Sequence, residues 1–91
     1  MAVTVRIPTQ LRTLSGGAGE VAMEGGTVEE VLEQLNAAHP GFAERLFDDA
    51  GKLRRFVNVF VADEDVRFLD GLATQVADGQ ILSIIPAVAG G

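Results

Sequence analysis

The stretch "TVEEVLEQLNAAHP", Thr27 to Pro40, constrains the fold more than any other. Val28, Val31, Leu32 and Leu35 fall at i, i+3, i+4 and i+7, the apolar stripe of an amphipathic helix. Thr27, followed three residues on by Glu30, forms a capping box in which each side chain satisfies a free backbone N–H. Glu29, Glu30 and Glu33 sit towards the positive end of the helix dipole, and Pro40-Gly41 stops the helix. A single apolar stripe must be buried against something, and the rest of the chain supplies strands.

Ala2 to Ile7 alternates, with Val3, Val5 and Ile7 on one face and Thr4 and Arg6 on the other. Pro8 limits that ladder, and Ser15 to Gly19 is a glycine-rich reversal. Glu20 to Glu24 reads as the return strand of an N-terminal hairpin, with Val21 and Met23 sharing a face. After the helix, Phe42 to Asp49 reads as a short second helical turn and Ala50 to Arg55 as a loop. Phe56 to Val61 is a strand whose Val57, Val59 and Val61 suit packing on the helix, while Phe56, Asn58 and Phe60 point the other way. Asp63-Glu64-Asp65 is a hairpin tip, and Val66 to Phe68 reads as a short strand. Asp70-Gly71 and Asp78-Gly79 are turn signals. Gln80 to Ile85 is the final strand, ended by Pro86. The fold class is therefore α+β, a small mixed sheet with one main helix across one face.

The chain has 91 residues, enough for one domain with a modest core. It has no cysteine, which excludes disulfides and Cys-based zinc sites. The net charge of −6 opposes binding to nucleic acid and to anionic membranes, and a basic protein partner fits its sign. No secretory signal or membrane-length apolar run is present, so the expected location is cytoplasmic.

Enzyme signals are weak. His39 is the only histidine. It falls in the last helical turn, where a favourable contact with the carbonyl end explains it better than catalysis. The acidic knot at residues 63–65 lacks the alternating ligands and bend glycine of a calcium loop. A solvated tip, or a contact with a basic partner, accounts for it. "SGGAG" lacks the Lys-Ser/Thr of a phosphate loop, and the glycines of "EGGT" are turn formers. No catalytic or metal-binding residue is expected in this chain.

The end of the chain is more informative. "SIIPAVAGG" runs from a buried-type strand through Pro86 into Val88, Ala89, Gly90 and Gly91. Glycines there let an extended backbone enter a narrow channel without side-chain clashes. An α-carboxylate, with a reference pKa of about 3.3–3.7, is ionised at neutral pH. It can attack the α-phosphate of ATP to give an acyl-adenylate. A sulfur nucleophile can then displace AMP and leave a thiocarboxylate. The base, metal and thiol for those steps would come from a partner enzyme.

The element order and the tail together resemble the ubiquitin-like β-grasp sulfur carriers, the ThiS and MoaD group. The resemblance spans the whole chain. It rests on "VTVRIPTQLR", "GKLRRFVNVFVADEDVRFLDGLATQVADG" and "IIPAVAGG", and the middle segment is similar to the CysO-type branch in particular. It implies a β-grasp body over residues 1–87 and a tail over 88–91. It implies adenylation and sulfuration at Gly91, with Val88, Ala89 and Gly90 threaded into partner sites. It implies a ubiquitin-activating-type adenylating enzyme that uses ATP, a PLP-dependent cysteine synthase and a zinc metallopeptidase that releases cysteine. The chain itself would bind no cofactor. The β-grasp arrangement further suggests that Phe56, Asn58 and Phe60 form a docking face, unless the segment Phe68 to Val76 covers them. Sulfur supply to molybdopterin or thiamin-thiazole synthesis, conjugation to other proteins through Gly91, and a plain interaction domain are the alternatives.

Overall fold

The computed structural model describes residues 2–55 and 57–86. In chain order the elements are β1 (Ala2–Arg6), β2 (Glu20–Glu24), β3 (Gly26–Thr27), α1 (Val28–Ala38), α2 (Phe42–Leu46), β4 (Val57–Val61), β5 (Glu64–Asp65), β6 (Gln75–Val76) and β7 (Ile81–Pro86). The main sheet has five strands in the order β2-β1-β7-β4-β5, and β3 and β6 form a separate two-stranded ladder. β1 and β7 run parallel at the centre, and the other neighbours are antiparallel.

The α1 stripe forms as its spacing predicts, with Val28, Val31, Leu32 and Leu35 each 0% exposed. They pack against the inward faces of three strands: Val3 and Val5 of β1, Val57, Val59 and Val61 of β4, and Leu82 and Ile84 of β7. The capping box is complete. The Glu30 N–H donates to Thr27 Oγ1 at 3.2 Å, and the Thr27 N–H donates to Glu30 Oε1 at 2.9 Å. Val28 N–H donates to the Thr74 carbonyl at 2.9 Å, which ties the helix start to the segment before β6.

α2 confirms the short helix after Pro40. Gly41 turns into it with φ 114°, a left-handed conformation that favours glycine. The Asn36 side-chain oxygen then accepts from the N–H groups of Gly41 and Ala43, at 3.2 and 2.9 Å, so a residue of α1 caps α2. Phe42 and Leu46 are buried in the core.

Two local readings change. Val66–Phe68 is a 3-10 turn and not a strand. The Asp65 carboxylate accepts from the Arg67 N–H at 2.8 Å, and this cap turns the chain out of the β5 ladder. The final strand also continues through Pro86, which pairs with Val57. Beyond Ser83, β7 no longer has β1 beside it and is open on that side, so a residue without an N–H is tolerated. The β4–β5 hairpin turns at Ala62 and Asp63, both with positive φ (51° and 71°), the twist that two-residue hairpin loops require.

Candidate functional site

The candidate site is the sheet end at which β7 reaches Pro86. β7 leaves between β1 and β4, and its last described residue, Pro86, lies opposite Val57. Val88, Ala89, Gly90 and Gly91 lie outside the described residues, as do Phe56 and the proposed boundary between body and tail. The site is therefore defined by its base. β7 holds that base through the buried Leu82 and Ile84, which anchor the strand in the core just before it exits.

The outer face of the sheet, away from α1, follows from strand alternation. Val57, Val59 and Val61 point inward, so Asn58 and Phe60 point outward and both are partly buried. Asn58 lies opposite Ile85, and Phe60 opposite Ser83. Ile85 is 49% exposed on the same face, directly before the exit. The sequence reading did not single it out. The signal was available, because Leu82 and Ile84 at period two leave Ile81, Ser83 and Ile85 on the other side.

Asn58 is engaged within the protein. Its side-chain oxygen accepts from Arg67 Nη1 at 2.6 Å. Arg67 Nη2 donates to the carbonyls of Val57 at 2.7 Å and Arg54 at 3.0 Å. One planar guanidinium thus clamps the entry to β4 beside the Pro86 exit, a geometry that suits arginine and not lysine. In the segment Phe68 to Val76, the alternative cover for the phenylalanines, Leu72 packs on the core and Phe68 is 86% exposed. Phe68, Leu69 and Ile85 are the large apolar side chains left exposed among the described residues.

A groove of about 390 Å³ flanks the exit, bounded by Arg6, Ile7, Arg12, Ser83, Ile85 and Pro86. Arg12 Nε donates to the Ile7 carbonyl at 3.1 Å, which keeps its side chain at this end. His39 ends α1, with its backbone N–H donating to the Leu35 carbonyl at 2.8 Å. Among the described residues, no group of three or more His, Cys, Asp or Glu side chains could hold a metal ion. No helix there is long and apolar enough to cross a membrane.

A central parallel pair made of the first and last strands, crossed by one main helix, defines a ubiquitin-like β-grasp protein. Within that class, the chain belongs to the ThiS family, whose model matches residues 5–91. It is 54% identical to the sulfur carrier protein CysO of Mycobacterium tuberculosis, over an alignment of 93 positions that covers 100% of both chains. A chain in the crystal structure of the Amycolatopsis orientalis BexX/CysO complex superposes with a TM-score of 0.93 at 52% identity, covering 99% of this chain and 100% of that one. Small archaeal modifier protein 3 of Haloferax volcanii is 43% identical over 68 residues, 75% of this chain and 73% of that protein.

Proposed function

We propose that this protein is a sulfur carrier whose reactive group is the α-carboxylate of Gly91, most closely suited to cysteine biosynthesis. The observation that carries the reading is the end-to-end likeness to the mycobacterial sulfur carrier, which includes the terminal glycines in the alignment. A partner enzyme of the ubiquitin-activating type supplies ATP. A carboxylate oxygen attacks the α-phosphorus, pyrophosphate leaves, and an acyl-adenylate forms. A sulfide-level nucleophile then attacks the carbonyl carbon and AMP leaves, giving the thiocarboxylate. A PLP-dependent cysteine synthase would accept that sulfur on an activated serine, and a zinc metallopeptidase would release cysteine and restore the carrier. The chain's own part is to present its end. β7 fixes the root, while Val88, Ala89 and Gly90 are small enough to thread a narrow channel. The protein acts as a co-substrate in the cytoplasm and performs no turnover itself.

The test is intact-mass analysis after incubation with ATP, the adenylating enzyme and a sulfide source. Replacement of one oxygen by sulfur, localised to Gly91, is the expected product. An unchanged mass under conditions where the same enzyme adenylates a known carrier overturns the proposal.

The likeness to an archaeal modifier protein favours a second reading, conjugation through Gly91 to lysines of other proteins. Isopeptide-linked ladders in cell extract would support it. A carrier that supplies molybdopterin synthesis would instead associate stably with a large synthase subunit.

The outer face carries a related proposal, that Phe60 and Asn58, together with Phe56, dock the adenylating enzyme. Phe60 is only partly buried, so Phe60→Ala should cost well under the ~3–5 kcal/mol of a fully buried phenylalanine. The variant should stay folded with KM for adenylation raised about tenfold, the size expected of an interface anchor. Loss of the folded state by circular dichroism would assign Phe60 to structure instead.

A further inference from the structure

The chain is acidic overall, with 7 Lys and Arg against 13 Asp and Glu. The topology distributes these charges unevenly. β1 runs parallel to β7, so Arg6, opposite Ser83, lies at the end where β7 departs. Arg12 follows it and shares the exit groove with Pro86. β4 runs antiparallel to β7, so its first residue, Val57, lies opposite Pro86. Arg54 and Arg55 come shortly before β4 in the chain, and the Arg67 guanidinium is bonded to the Val57 and Arg54 carbonyls. Arg6, Arg12, Arg54, Arg55 and Arg67 therefore surround the root of the tail on both sides.

Among the described residues, Arg6 alone of this group is ion-paired, to Glu20 at 3.2 Å. Arg54 shares a shallow groove with Glu44 and Asp48 and is the most screened. Arg6, Arg12, Arg55 and Arg67 are exposed. Four of the 13 acids stand at the opposite end of the sheet. Asp63 lies in the β4–β5 turn and Glu64 begins β5 beside it, Glu24 lies opposite Ala2 at the start of β1, and Asp78 precedes Gly79, whose N–H donates to the Ala2 carbonyl.

We infer that this arginine collar docks a partner protein that presents an acidic rim around the channel the tail enters. The inference rests on the sulfur-carrier reading and names the chemistry of the surface that receives it. An alternative use of the collar would be to hold the phosphates of the nucleotide that reacts at Gly91. Distance decides against it. Ala87 to Gly91 at ~3.3–3.6 Å per residue reaches up to roughly 17 Å beyond Pro86. That is about twice the ~8 Å over which exposed charges act at physiological salt. A threaded tail would carry the reacting carboxylate out of the collar's range, while the mouth of the channel stays within it. The overall acidity thus misleads about the partner's sign, because the end that meets the partner is basic.

Charge complementarity of this kind sets encounter rate and register, and it weakens with salt. The test measures KM of the full-length carrier for its adenylating enzyme at about 20 and about 300 mM salt, with pyrophosphate release as the readout. In the wild type, KM should rise about tenfold or more across that range with kcat unchanged. Arg6→Glu with Arg55→Glu should raise KM at low salt by about 30-fold or more and flatten the salt dependence. Arg6→Gln with Arg55→Gln should fall between. Asp63→Asn with Glu64→Lys, at the far end, should leave KM within about twofold of wild type. Thermal unfolding confirms that each variant is folded. Salt-independent KM, or equal effects of the two ends, overturns the collar. Because adenylation would still proceed at saturating carrier, that result leaves the sulfur-carrier reading standing.

Discussion

A carrier with one alanine appended after Gly91 should form no thiocarboxylate, while its unfolding curve stays that of the wild type. The extension moves the carboxylate by about 3.5 Å, one residue of extended chain. A productive adenylation geometry holds the attacking oxygen roughly 3–3.5 Å from phosphorus, and a misplacement of about 1 Å can already cost ~100-fold. A full residue should therefore lower kcat/KM for adenylation by at least about 1,000-fold. The added methyl group also enters a channel that the glycine pair suits by having no side chain. The measurement is pyrophosphate release, with intact mass to show that the alanine is retained. Adenylation of the lengthened chain at the wild-type rate would mean that the reactive group is not the main-chain terminus.

Phe42→Ala should come close to unfolding the domain. Phe42 is 0% exposed and heads the largest fully buried side chains. It stands at the start of α2, held there by the Asn36 cap, and fills the core beside Leu35 and Leu46. Truncating a buried phenylalanine removes about 3–5 kcal/mol. A domain of this size has only about 5–15 kcal/mol of stability in total. The melting temperature should fall by roughly 15–30 °C, since about 1 kcal/mol shifts a small domain by several degrees. Urea unfolding followed by circular dichroism gives the free energy directly. A loss under about 1 kcal/mol would show that α2 is peripheral to the core.

Much of the body is legible in the chain because its signals are local. The α1 stripe, the Thr27–Glu30 capping box and the valine alternation of β4 each lie within a few residues of one another, and each forms as its spacing predicts. Val66–Phe68 was not legible. Its residues suit a strand, and a single side-chain bond from Asp65 to the Arg67 N–H redirects it. Asn58 shows a second limit. Alternation places it on the outer face, but its engagement by Arg67 depends on a residue nine positions away folding back over β4. The arginine collar was out of reach for the same reason. Arg6, Arg12, Arg54, Arg55 and Arg67 are scattered along the chain, and only the strand order assembles them. The tail motif was readable as sequence, and the outer face of the sheet beside it only in part, since Ile85 joins Asn58 there across the β4–β7 pair.

The strand order also bears on biosynthesis. β7 is the last strand of this sheet in chain order, yet it sits between β1 and β4 in the middle of the sheet. A nascent chain that stops short of Ile81 leaves β1 and β4 with unpaired inner edges, the kind of surface that aggregates or is degraded. The sheet closes only once Ile81–Pro86 has been synthesised, so the strands made earlier wait for β7 before the body can fold.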